Sequence, residues 1–363
     1  MEIRTYDGTA EDLQAFVVAA WRKTYAGKMA FPLWTPQYLT WQLGLDLPTG
    51  REQHLAAYEG TRLVGCVFGI PLRFAAGDQE FLGTQGSWLS VDPEFRRLGV
   101  AAKLRDEMRR RDREQGRDFQ LGYIYRGSKF SLGPHFWQKH REHGTIPIQR
   151  VGFWARILDI PRSSRWYVNW LDRVTSPALY LWLRKLKPSK ELQDQAAPST
   201  LPGCRIRPYR AEDLPACLAI WTEASQKYDF RIVWEASNLQ RQLEGGGVGR
   251  CLVAEKNGTV QGFVSYHVLP FLGLTEEPVG IVDMIALARL NPTERRCLLE
   301  SALYDMKMSG AILALKVRIG DYPLSTVLSS GFVFRPTDSD AILTWGHEPR
   351  QLPPIRTMHV LWR

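Results

Sequence analysis

The chain carries one order of secondary-structure signals twice, and that repeat restricts the fold more than any single segment does. In the first half, residues 2–6 read as a strand, and a helix follows through Asp12 and Leu13 to Tyr25, with Thr9 as its N-cap. Thr35-Pro36 opens a second helix carrying Tyr38, Leu39 and Trp41. Strands at 54–58 and 62–72 meet at the turn Glu59-Gly60, and a third runs from Phe81 or Thr84 to Val91. In the second half, a strand at 205–209, a helix from Ala211 to Trp221 and a short helix at 234–243 repeat the opening. Strands at 251–255 and 260–268 then flank the turn Asn257-Gly258, a strand covers 279–287, and a helix runs over 292–309. Duplication of one unit predicts an α+β fold of two tandem domains, each a mixed central sheet flanked by helices. A length of 363 residues suits two such domains. The expected division is 1–159 for the first domain, 160–203 for a connector and 204–363 for the second.

Composition narrows the setting. Apolar residues make up 44% of the chain, including 13 Trp, 13 Tyr and 15 Phe, so both domains can bury full cores. No run of about 18 uncharged apolar residues occurs, so no spanning helix is expected. Met1-Glu2-Ile3-Arg4 lacks a basic region followed by an apolar core, so no secretory leader is expected either. Cys66, Cys204, Cys217, Cys251 and Cys297 are scattered with no C-x-x-C pair, which argues against a zinc ribbon or disulfide framework and for a cytoplasmic location. The net charge of +9 favours an anionic partner. Nucleic acid is not expected, because no aromatic-basic platform or recognition helix is present. The connector is rich in aromatics. Ser163-Ser164 is expected to cap a helix presenting Trp166, Tyr167 and Trp170, and Ser176-Pro177 a second with Tyr180 and Trp182. Two readings stand: a bracket between the halves, or a greasy surface for a lipid-like substrate or a membrane.

The segment Ser90-Val91-Asp92-Pro93-Glu94-Phe95-Arg96-Arg97-Leu98-Gly99-Val100-Ala101-Ala102 carries the clearest chemistry. An apolar strand ends at Val91, a short turn follows, and a helix begins near Gly99. The first N–H groups of a helix lack internal partners and sit at the positive end of its dipole, which makes such a turn an anion site. Gly99 and Ala101 keep it free of bulk, and Arg96 and Arg97 add charge at its entrance.

This segment resembles the pyrophosphate-binding signature of the GCN5-related N-acetyltransferase (GNAT) superfamily, Arg/Gln-x-x-Gly-x-Gly/Ala. Arg96, Gly99 and Ala101 stand at its defining positions, and Val91 with Pro93 matches the strand end before it. The resemblance implies that the backbone from Arg97 through Leu98, Gly99, Val100 and Ala101 to Ala102 binds coenzyme A. It also implies that the strand edge Leu89-Ser90-Val91 pairs with pantetheine and polarises the thioester carbonyl. Gly152-Phe153 resembles the pair that closes many such domains. The second half is similar but eroded: Ser329-Ser330-Gly331-Phe332 resembles the closing motif, while Ala288–Arg296 offers no glycine and places Glu294 where phosphate would lie. The chain is therefore expected to hold one coenzyme site, in the manner of tandem members of the superfamily such as the N-myristoyltransferase, mycothiol synthase and Eis-like groups.

An amine attacking a thioester must lose a proton, and the expelled thiolate needs one. The family's usual carboxylate before the signature is missing from Thr84-Gln85-Gly86-Ser87-Trp88-Leu89-Ser90. The candidate proton-transfer groups are His135 and His140, beside His143, where the family commonly places a tyrosine acid; Tyr125, with Tyr123, on the strand before them; and Asp283 in the second half. The plainer reading of the histidines is a solvated face, and their spacing does not make a metal site. The expected activity is acyl-CoA-dependent N-acyltransfer to an amine-bearing small molecule or peptide, with no metal. A non-catalytic acyl-CoA sensor or scaffold is the alternative. Phe31, Trp34, Tyr38 and Trp41, with the connector aromatics, suggest an acyl chain or acceptor larger than acetyl and a simple amine.

Overall fold

The computed structural model describes residues 1–47, 50–126, 129–134, 144–169, 173 and 200–362. The first half supplies β1 (Glu2–Thr5), α1 (Ala10–Tyr25), β2 (Phe31–Pro32), α2 (Pro36–Leu43), β3 (His54–Glu59), β4 (Arg62–Ala76) and β5 (Gln79–Val91). It continues with α3 (Val100–Glu114), β6 (Phe119–Tyr125), β7 (Thr145–Val151) and β8 (Phe153–Ile157). After α4 (Ile160–Trp166), the order returns as β9 (Thr200–Leu201), β10 (Cys204–Pro208), α5 (Leu214–Ser225), β11 (Phe230–Val233), α6 (Ala236–Glu244) and β12 (Gly249–Lys256). It closes with β13 (Thr259–Leu272), β14 (Glu276–Ala286), α7 (Pro292–Met308), β15 (Leu313–Val317), α8 (Leu324–Ser329), β16 (Val333–Phe334), β17 (Ser339–Trp345) and β18 (Met358–His359).

Local chemistry sets the helix starts. The Thr9 hydroxyl accepts from the Asp12 N–H at 3.0 Å and opens α1. Thr35 caps α2 with Pro36 in its first turn, and Gly44 ends it in the left-handed region at φ 66°. One expectation is corrected here. Asp159, not Ser163-Ser164, caps α4: its carboxylate accepts from the Arg162 N–H at 3.0 Å, ahead of Pro161. Ser163 and Ser164 lie inside the helix and donate to the Ile160 carbonyl at 3.0 and 2.9 Å.

The described strands form two nine-stranded sheets. The first runs β1-β3-β4-β5-β6-β17-β7, and the second β16-β8-β15-β14-β13-β12-β10-β9. Chain order and sheet membership part company at the closing strands. β8, from the first half, pairs with β15 in the second sheet, while β17, from the second half, lies between β6 and β7 in the first. A smaller exchange accompanies it: β2 pairs with β13, and β11 with β4. Boundaries at 159 and 204 divide the chain but do not separate the sheets. Four of the five residues of β8 are buried, so that strand needs a covered, central place. Gly152 makes the crossing between β7 and β8 feasible, since a Cβ there would come within 2.9 Å of the Arg318 guanidinium and 3.0 Å of the Pro336 carbonyl. One core accordingly spans both halves, with Phe74 and Phe119 packed on Phe230, and Trp345 on Phe81 and Phe119.

Trp166 and Tyr167 are buried, and the Trp166 indole donates to the Phe271 carbonyl, so this part of the connector is a bracket against the second sheet. Trp170 and residues 174–199 lie outside the described residues. Phe31, Trp34, Tyr38 and Trp41 are likewise buried and pack the halves together. Trp41 lies on Gly246 and Gly249 and donates from its indole to the Arg241 carbonyl at 2.8 Å.

Candidate active site

The turn after β5 is built to stay open. Asp92 accepts from the Glu94 N–H at 3.1 Å and starts a single 3-10 turn over Pro93–Phe95, and Arg62 clamps Asp92 and Glu94 at 2.7 Å each. Arg97 and Gly99 then adopt φ of 64° and 79°. Arg97, Leu98 and Gly99 are exposed, and a Cβ at Gly99 would meet no atom of the described residues within 4 Å. No side chain caps α3 and no acid lies in its first turn; its first internal bond runs from the Lys103 N–H to the Gly99 carbonyl. The backbone N–H groups of Val100, Ala101 and Ala102 are therefore left for an anion by helix geometry. Arg96 departs from expectation. It is half-buried, and its guanidinium donates to the Thr24 hydroxyl, tying the turn to α1 and leaving Arg97 as the charge at the entrance.

The equivalent helix start in the second half is shut. Asn291 accepts from the Glu294 N–H at 3.0 Å, while the Glu294 carboxylate accepts from the Asn291 N–H at 2.9 Å. Lys256 pairs with Glu294 at 2.8 Å. Burial raises the Glu294 carboxyl pKa, but Lys256 and the Asn291 N–H more than offset this and hold it below the usual range. Carboxylate and cap together take the place that phosphate would occupy.

Upstream, β5 carries a bulge. Cys66 faces Ser90 and Phe68 faces Ser87, which leaves an extra residue on β5 at Trp88-Leu89. Trp88 sits at φ 58°, a costly conformation for a bulky side chain. Of the three described non-glycine residues with positive φ, Trp88 and Arg97 lie in this stretch, and Asn257 sits in a hairpin turn. Parallel pairing of β5 with β6 ends at Gln85–Leu121, although β6 continues along β17 to Tyr125–Ser339. The strands thus fork beyond Gln85, and the edge containing Leu89, Ser90 and Val91 borders the opening. Gly86 and Gly122 stand at the fork, where a Cβ would meet, among the described residues, only backbone oxygen, at 3.7 Å and 3.9 Å or farther. The Gln85 amide donates to the Leu361 carbonyl, which places the segment after β18 against this point. The Ser90 hydroxyl accepts from the Trp21 indole at 2.9 Å, so its side chain supports α1. Burial pushes the Cys66 thiol, beside the Trp88 carbonyl, far above its ordinary pKa, which makes it a poor nucleophile.

Of the proton-transfer candidates, Tyr125 and Asp283 are described, and they lie on different sheets. Tyr125 ends β6 opposite Ser339, and its carbonyl accepts from the Ser131 hydroxyl at 2.7 Å. His135, His140 and His143 lie outside the described residues. Asp283 forms the bulge of β14, between Val282 and Met284, and its carboxylate lies 2.8 Å from His267 Nδ1. The Asp283 carbonyl accepts from Lys316 Nζ at 2.9 Å. That ammonium also pairs with Asp321 at 2.9 Å, and Asp321 holds His359 Nδ1 at 2.9 Å. Burial raises the Asp321 pKa, but Lys316 and His359 outweigh it and hold the carboxyl low; burial keeps His359 below its ordinary value. His267, Lys316, Asp321 and His359 were missed in the sequence, where only a cross-strand register could have joined them. Among the described residues, no group of three or more His, Cys, Asp or Glu side chains is arranged to hold a metal ion.

No protein-family model matches the chain, and no curated protein does. Solved structures do. Saccharomyces cerevisiae N-myristoyltransferase, with bound myristoyl-CoA and inhibitors, superposes with a TM-score of 0.74 at 14% identity, over 97% of this chain and 81% of that one. A GCN5-related N-acetyltransferase from Anabaena variabilis ATCC 29413 gives 0.51 at 12% identity, over 94% and 71%. One from Kribbella flavida gives 0.50 at 14% identity, over 94% and 70%. The chain has the tandem GNAT fold.

Proposed function

We propose that the protein is an acyl-CoA-dependent N-acyltransferase, with its coenzyme on the first half and an amine-bearing acceptor between the halves. One contrast carries this reading: of two equivalent helix starts, that of α3 is uncapped and open, and that of α7 is closed by its own side chains. The open one follows a bulged strand with a forked edge. There the pyrophosphate would lie on the N–H groups from Arg97 to Ala102, and the thioester carbonyl would face the bulge at Trp88-Leu89. The donor in this reading is longer than acetyl. Its supports are the side-chain-free fork at Gly86 and Gly122 and the myristoyl-CoA in the yeast structure. The buried aromatics of α2 do not support it, since they fill the core.

A second reading, an acyl-CoA-binding sensor, draws on the lack of a carboxylate in Thr84–Ser90. Incubation with acetyl-, octanoyl- and palmitoyl-CoA and a library of amines, with free thiol measured, separates the two. Amine-dependent thiol release establishes the transferase; tight acyl-CoA binding without turnover establishes the sensor.

A further inference from the structure

Two buried histidines on the second half's polar chain are treated differently by their surroundings. His359 is fully satisfied: Nδ1 meets Asp321 at 2.9 Å, and Nε2 accepts from the Trp234 indole at 3.2 Å. His267, 1% exposed, meets Asp283 at 2.8 Å through Nδ1, yet its Nε2 is buried without a partner among the described residues. A carboxylate only accepts, so it fixes the tautomer with the proton on Nδ1 and a bare lone pair on Nε2. Leaving such a lone pair unmatched inside a protein is unfavourable, and it brings no packing advantage that an apolar residue would not. Asp283 is itself held rigidly, since Lys316 fixes its carbonyl in the bulge.

Position adds to chemistry. The His267 ring lies 5.3 Å from that of Tyr38, and Tyr38 lies 6.3 Å from that of Trp88, in the bulge that would polarise the thioester. Trp41 is 5.6 Å from His267 and also walls a cavity of about 540 Å³ between α2 and α6, with Asp46 and Glu244 on its rim. The groups facing or linked to the imidazole are Asp283 from β14 and Tyr38 from α2, with Lys316, Asp321 and His359 behind Asp283.

We infer that His267, oriented by Asp283, is the base that takes the proton from the acceptor's ammonium, so that the second half supplies the group missing from β5. The inference rests on the acyltransferase reading. The acceptor N–H⁺ gives its proton to Nε2, and the resulting imidazolium is stabilised by Asp283. The amine nitrogen then bonds to the thioester carbon, the C–S bond breaks, and the second N–H proton leaves with the coenzyme as its thiol. The imidazolium passes its proton to water that enters as the product leaves.

The test compares two nucleophiles on the full-length chain: a primary alkylamine active in the library, charged at neutral pH, and hydroxylamine, already neutral there. His267→Gln should lower kcat/KM for the alkylamine by on the order of 100-fold and for hydroxylamine by less than about threefold. Asp283→Asn should show the same selectivity with a smaller loss. Both should bind acetyl-CoA with wild-type affinity by calorimetry, which also establishes that they fold. Equal losses for both nucleophiles, or retention of alkylamine turnover, overturns the assignment. Absence of turnover by the wild-type protein with every amine would instead overturn the acyltransferase reading.

Discussion

Asn291 and Glu294 satisfy each other's backbone N–H at the start of α7, at 3.0 and 2.9 Å, whereas Gly99 at the start of α3 has no side chain to do so. That difference predicts one coenzyme site per chain. Gly99→Glu adds bulk and negative charge to an exposed turn and forces a side chain onto φ 79°. Coenzyme A titration should give a stoichiometry of one for the wild type and no measurable binding for Gly99→Glu. Glu294→Ala should keep the stoichiometry while weakening the cap of α7 by about 1 kcal/mol. Two sites per chain, or unimpaired binding by Gly99→Glu, contradicts this account.

The exchange of β8 and β17 predicts cooperative unfolding. Neither sheet retains its observed strand order without the other half, so calorimetry should show one transition. Trp345, on β17, packs against Phe81 and Phe119 in the first half. Trp345→Ala should cost about 3–5 kcal/mol and lower that transition as a whole. Two separated transitions, only one of them shifted by the substitution, would count against a shared core.

His54 gives a pH dependence of defined sign. It is 1% exposed and faces Phe68, and burial, assisted by Arg51, lowers its pKa from 6.5 to about 4. Between those values the unfolded chain binds a proton that the folded chain refuses. The stability this group contributes is complete above about pH 6.5 and is lost as pH falls toward 4, by about 3 kcal/mol in all. Denaturant midpoints across pH 4–7 should show that loss, and His54→Leu should flatten it. An unchanged slope in the variant would remove His54 as its source.

The parts of the site legible in the sequence are local ones. Val91 to Ala102 could be read because a strand end, a turn and a helix start are contiguous, and each has residue signals. The capping box at Asn291 and Glu294 is equally local, and it explains physically why Glu294 excludes phosphate. The pair His267–Asp283 was only half visible, because the bulge at Asp283, opposite Ser265 and Tyr266, sets their register across 15 intervening residues. The strand exchange was hidden for a related reason. β8 and β17 are covered on both faces, so their apolar runs name no partner, and the two-residue β2 is too short to carry a period.

The fork between β5 and β6 makes the last prediction. Gly86 and Gly122 face the opening with only backbone oxygens near their Cβ positions, so the gap there is set by the absence of side chains. An acyl chain running through it gains about 0.8 kcal/mol per buried methylene, and kcat/KM should therefore rise at least tenfold from acetyl-CoA to the best longer donor. Gly86→Val places two methyl groups in the gap. It should erase that rise while leaving acetyl transfer within about threefold, because acetyl would need no room beyond the bulge. Coenzyme A affinity should be unchanged, since the pyrophosphate-binding N–H groups begin at Arg97, eleven residues later. A wild-type optimum at acetyl-CoA with steady decline for longer donors would show that the fork holds pantetheine alone; equal losses for short and long donors in Gly86→Val would mean that it narrows the pantetheine path.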